Sequence, residues 1–154
     1  MILYLLRHAE ARPFGSGAAQ DRDRPLTPAG HLQAQHVAAT LRDSGIQRLL
    51  SSPALRCLET LAPLAEVSPD GVIERDPRLL EGAPFRGLLD LLEELGDAAT
   101  LLCSHGDLIP ELIGHFRHSG LHLNAPPHCQ TGSVWHVEHR GGAWSARYLP
   151  PANA

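Results

Sequence analysis

Apolar runs of strand length recur along this chain, and a segment with helical features follows each. Ile2 to Leu6, Arg48 to Ser51, Val72 to Arg75 and Thr100 to Cys103 are short runs bounded by polar, Gly or Pro residues. A short run that is apolar throughout fits a strand buried on both faces. Between the runs lie helix signals. Thr27-Pro28 reads as N-cap and N1 of a helix reaching about Arg42, which Ser44-Gly45 closes. Ser52-Pro53 opens a second helix by the same logic, to about Ala65, with Pro63 bending or ending it. Leu88, Leu91, Leu92 and Leu95 share one face of a third helix, which Gly96 ends. Asp107 to Phe116 forms a fourth, followed by a loop over 117–131. Val134 to Glu138 and Ala143 to Tyr148 alternate around Gly141-Gly142, a hairpin signal, and the tail Pro150 to Ala154 is expected to be loosely held. This order predicts an α/β three-layer sandwich: a mostly parallel central sheet, helices on both faces and a C-terminal hairpin, in a single domain over 1–154.

Composition narrows the function. A net charge of −4 argues against a nucleic-acid binder, which normally presents a basic face. No apolar run is long enough to span a membrane, and Arg7-His8 cuts the first run too short for a leader, so a cytoplasmic protein is expected. Cys57, Cys103 and Cys129 form no CxxC pair, which fits a reducing compartment, with Cys57 and Cys103 read as buried. All 13 basic residues are Arg, so any anion site must use Arg, His or backbone N–H groups. The histidines at 115, 118, 122 and 128 have loosely ligand-like spacing but no suitably placed cysteine, so they are read as solvent-facing loop residues and no metal or other cofactor is expected.

In a parallel sheet, ligands bind beyond the carboxyl ends of the strands. After the first run come Arg7 and His8; after the second, Ser51, Ser52 and, one turn on, Arg56; after the fourth, Ser104, His105 and Gly106. Each of the four charged or aromatic residues has an ordinary structural explanation when taken alone. Together, at three strand ends, two guanidiniums and two imidazoles suit one tetrahedral anion. Guanidiniums grip phosphoryl oxygens and neutralise their charge. A neutral imidazole can attack phosphorus and carry the group covalently.

The segments LLRHAEA (Leu5 to Ala11), LLSSPALRCLETLAPLA (Leu49 to Ala65), LLCSHGDLIPELI (Leu101 to Ile113) and TGSVWHVE (Thr131 to Glu138) resemble, in order, the motifs of the histidine phosphatase superfamily, the phosphoglycerate-mutase-like proteins. The likeness is to short bacterial members, such as the phosphatase domain fused behind Nudix hydrolases or the short phosphohistidine phosphatases. It implies a catalytic set of His8 as phosphoryl acceptor with Arg7, Arg56 and His105, and Glu81 as the candidate acid, although Glu81 also reads as an ordinary loop carboxylate. Glu10, Arg12 and Gly106 are candidate substrate contacts, and Asp107 matches the acid of another branch only loosely. Ala9 stands where many members have Gly. The loops at 9–26, 76–87 and 117–131 are short, so an open pocket is expected, with Phe14 and Phe85 as candidates to line its mouth or simply to pack. An open pocket disfavours a mutase, which must shield its intermediate from water. The expectation is hydrolysis of a phosphomonoester, small metabolite or nucleotide, through a phosphohistidine. A phosphohistidine protein phosphatase and a non-catalytic phosphate-binding module are the alternatives.

Overall fold

The computed structural model describes residues 1–152. In chain order the elements are β1 (Ile2–Arg7), α1 (Pro28–Leu41), β2 (Arg48–Ser51), α2 (Leu55–Glu66), β3 (Ile73–Arg75), α3 (Phe85–Leu95), β4 (Thr100–Ser104), α4 (Leu108–His118), β5 (Val134–Arg140) and β6 (Ala143–Leu149). Short 3₁₀ turns lie at Asp21–Asp23 and Pro77–Leu79. The strands form one sheet in the order β3-β2-β4-β1-β5-β6. The first four are parallel; β5 is antiparallel to β1, and β6 is antiparallel to β5.

Strand alternation splits the core into two layers. Leu3, Leu5 and Leu102 point to the side covered by α3 and α4, packing with Leu88, Leu91, Leu108 and Leu112. Tyr4, Leu6, Leu101 and Cys103 point to the other, against Val37 and Leu41 of α1 and Leu61 and Leu64 of α2. Each such leucine removed from water contributes roughly 1.5–3 kcal/mol, so the central strands are stabilised from both faces. This is why β1 and β4 read as continuous apolar runs.

Some boundaries differ from the sequence expectation. Thr27 caps α1 as expected, its side chain accepting from the Gly30 N–H. Ser52 does not cap α2, which begins at Leu55 behind Ala54; its hydroxyl accepts from the Ala54 N–H in the turn before the helix and also meets His105. Pro63 neither ends nor shortens α2; the buried Leu61 and Leu64 hold the helix on to Glu66. α3 begins at Phe85, three residues early, because Pro84 suits a helix entry and Gly87 lies against Arg78. α4 extends to His118, so His115 and His118 are exposed helix residues; only His122 and His128 lie in the loop. Trp135 is buried, its Nε1–H donating to the His128 carbonyl, and Trp144 packs on Phe116. Pro151 in the tail is buried rather than loose; residues 153–154 lie outside the described residues.

Candidate active site

Strand register brings the expected residues to one edge. Arg7 pairs with Ser104, and Ser51 with Cys103. His8, Ser52 and His105 therefore each sit one residue beyond a strand end. The His8 N–H donates to the Ser104 carbonyl at 3.1 Å and the Ser52 N–H to the Cys103 carbonyl at 2.9 Å, fixing the exits of β1 and β2. Arg56 enters from the first turn of α2.

Arg56 is the hub of the site, with 1% of its surface exposed. Its Nε donates to His8 Nε2 at 3.4 Å, and Nη2 to His105 Nδ1 at 3.2 Å. Nη1 meets the Asp21 carbonyl at 3.1 Å, while Nη2 also faces Asp21 Oδ2 and Glu81 Oε2, each at 3.3 Å. A buried guanidinium is tolerated only when its donors are engaged in this way. Burial works against charge on Asp21, but the Arg24 hydrogen bond and the Arg56 guanidinium outweigh it and hold the carboxyl below its usual range.

The histidine rings lie 5.3 Å apart, edge to face. His8 Nδ1 is 2.8 Å from the Ala9 carbonyl, which can only accept, so Nδ1 carries the proton. Nε2 is left with a lone pair, aimed at Arg56. Burial, aided by the positive field of His105, Arg56 and Arg7 and opposed only by the Ala9 bond, pushes His8 down from 6.5 to about 3. The ring is neutral at pH 7, the form a nucleophile needs.

That shift links folding to pH. The unfolded chain protonates His8 below about 6.5 whereas the folded chain does not, so this stability is complete above 6.5 and is lost progressively towards 3. Between pH 7 and 5 the loss from this group is about 2 kcal/mol. Urea unfolding of the wild type and His8→Asn at both pH values isolates it: the variant should lose about 2 kcal/mol less on acidification.

Arg7, the last residue of β1, lies against Gly106, next to His105. Its Nη1 donates to the Cys129 carbonyl at 2.6 Å, and its buried Nε has no partner among the described residues. Gly106 makes room for it: a Cβ there would lie 2.9 Å from Arg7 Cζ. Gly106 thus acts through shape, beside His105. Gly30 of α1 plays a similar part for the segment after His8, since a Cβ would fall 2.0 Å from the Glu10 carbonyl oxygen.

A cavity of about 280 Å³ opens beside this cluster, lined by Arg56, His105, Glu81, Leu80, Asp21 and Arg22 together with Gln20 and Ala54; His8 and Arg7 lie behind Arg56 and His105 and do not line it. Glu81 is brought to the site, half exposed, with its carboxylate on Arg56. Glu10 is not: its carboxylate accepts from the Thr27 hydroxyl at 2.9 Å, at the start of α1. Arg12 is exposed in a loop that its own backbone ties to Pro25, and it does not line the cavity. Phe14 is exposed, and Phe85 packs against the α3–α4 core. The partners of three neighbouring residues escape a sequence reading. Asp21 closes over Arg56 from a loop without periodicity. Ser52 contacts His105. The Asp107 side chain makes no cap bond to α4; its Oδ2 accepts from the Gly82 N–H at 2.7 Å and anchors the loop bearing Glu81. Among the described residues no group of three or more His, Cys, Asp or Glu is placed to hold a metal, and no helix is long and apolar enough to cross a membrane.

The model of the histidine phosphatase superfamily (branch 1) matches residues 3–84. An 8-oxo-(d)GTP phosphatase of Mycolicibacterium smegmatis is 31% identical over 116 residues, which are 71% of this chain but only 35% of that protein. The chain thus spans about a third of that relative. An uncharacterised protein of Picosynechococcus is 31% identical over 80% of this chain and 79% of its own length. The solved structure of the protein histidine phosphatase SixA complexed with tungstate superposes with a TM-score of 0.78 at 26% identity, covering 99% of both chains.

Proposed function

The chain belongs to the histidine phosphatase superfamily, and on that footing we propose that it hydrolyses a phosphomonoester through a phosphohistidine at His8. The observation that carries this is the His8 tautomer: its Nε2 lone pair faces the buried Arg56 while Nδ1–H is spent on the Ala9 carbonyl. Nε2 attacks phosphorus, the P–N bond forms, and the ester P–O bond breaks. Arg56, Arg7 and His105 hold the transferring oxygens and offset their charge. Glu81, drawn off Arg56 by the incoming phosphoryl group, takes up a solvent proton and gives it to the leaving oxygen. In the second half Glu81 takes a proton from water, whose oxygen attacks phosphorus, and His8 recovers its lone pair. The short loops leave the cavity uncapped, which supports hydrolysis over phosphoryl return to a retained product.

A phosphohistidine protein as substrate is the second reading. The likeness to SixA over the whole length of both chains favours it, as does a mouth open enough for a folded partner. A leaving imidazole nitrogen needs less help from an acid than an alkoxide. Hydrolysis of p-nitrophenyl phosphate, a nucleotide and metabolite panel, and a phosphohistidine protein separates the readings. Turnover of none of them by pure protein would leave only a phosphate-binding module.

Glu81 has its own test. Glu81→Gln should slow an alkyl phosphate by roughly 10²–10⁴-fold. It should slow p-nitrophenyl phosphate by less than about tenfold, because nitrophenolate leaves without a proton. Equal losses on both esters would remove Glu81 from the acid's role.

A further inference from the structure

We infer that Ser52 is a positioning residue that fixes His105 as its Nε2–H tautomer and so presents the Nδ1 lone pair to the anion site. Ser52 Oγ lies 2.9 Å from His105 Nε2, and both residues are fully buried. On the other side of the ring, Arg56 Nη2 is 3.2 Å from Nδ1. A guanidinium only donates, so Nδ1 must accept and the ring proton sits on Nε2, donated to Ser52. The hydroxyl oxygen is itself oriented: it also accepts from the Ala54 N–H at 3.2 Å, in the turn that leads into α2 and Arg56. Cys57 Sγ, 3.7 Å from the same nitrogen, is a longer contact to a weaker acceptor.

The consequence falls on the cavity wall. Nδ1 meets the same Arg56 nitrogen that faces Asp21 and Glu81. When a monoanionic phosphoryl group displaces those carboxylates, its P–OH proton can pass to Nδ1, and the resulting N–H then holds that oxygen. Without Ser52, Nε2–H would be buried against sulfur alone. The proton or the ring would turn over, placing an N–H against the Arg56 donor. The kinetic part of this inference rests on the phosphatase reading; the tautomer does not.

The test is ¹⁵N NMR of the imidazole nitrogens in labelled protein, alongside steady-state kinetics on p-nitrophenyl phosphate. Wild type should show His105 as Nε2–H. Ser52→Ala should shift it towards Nδ1–H or a mixture and lower kcat by about 10–100-fold, with KM within about threefold. That is less than the ~10⁴-fold a wrong tautomer costs a histidine held by a carboxylate, because a hydroxyl is the weaker partner. Ser52→Thr, which keeps the hydroxyl, should restore both. If Ser52→Ala does not fold, Ser52→Cys supplies the same spectral reading. An unchanged Nε2–H signal in the hydroxyl-free variant, or a changed one with kcat within twofold of wild type, overturns the inference. An inactive wild type with the expected spectrum sinks the phosphatase reading alone.

Discussion

His8→Ala should lose hydrolysis of p-nitrophenyl phosphate, or of the true substrate, by on the order of 10⁴–10⁶-fold. The size follows from what is removed. Of the other side chains in the cluster, Arg56 and Arg7 are donors only, and the His105 Nδ1 lone pair is assigned to a phosphoryl oxygen and not to phosphorus. The anion-holding groups survive the substitution. Binding of tungstate, read by calorimetry, should therefore stay within about tenfold of wild type. Loss of both turnover and anion binding would mean that His8 shapes the pocket instead of reacting in it. Retention of more than about 1% of activity would remove it as nucleophile.

The second large effect is expected at Arg56. Arg56→Ala should lower kcat/KM by roughly 10³–10⁵-fold, the scale at which a guanidinium acts on a transferring phosphoryl group. Here one side chain also orients both imidazoles, through Nε to His8 and Nη2 to His105. Arg56→Lys should rescue little, because an ammonium cannot span two rings with a planar fork. Stability should change less than activity. Asp21 and Glu81, the carboxylates left behind, are 42% and 57% exposed and can turn to water. Only two ring acceptors stay buried, which sets a cost of about 1–3 kcal/mol by urea unfolding. A lysine variant with near wild-type kcat/KM would show that charge alone, without geometry, suffices at this position.

Much of this architecture is legible in the sequence because burial writes it there. β1 and β4 are covered on both faces, so their apolar runs are continuous, and the strand-end rule then finds Arg7, His8, Arg56 and His105. Tertiary commitments are harder to read. Ser52 looks like a helix cap, yet its hydroxyl is taken by a histidine 53 residues away. Asp107 looks like a cap or an acid, but it bonds the backbone of a loop 25 residues upstream. Asp21 lies in a stretch with no periodicity, and only the fold lays it over Arg56. Glu10 shows the opposite failure. Its closeness in sequence to His8 suggests substrate contact, whereas Gly30 lets α1 approach and Thr27 claims its carboxylate. Spacing along a chain reports faces of helices and strands; it does not report which of two hydrogen-bond partners wins.

The claim on which the account turns is that phosphorus is bonded for a time to one particular nitrogen. Rapid quenching of the enzyme with labelled substrate, followed by ³¹P NMR of the denatured protein and peptide mapping, addresses it directly. A base-stable, acid-labile label on Nε2 of His8 is the predicted result. A label on Nδ1, on His105 or on any hydroxyl, or turnover with no covalent species at any quench time, would contradict it.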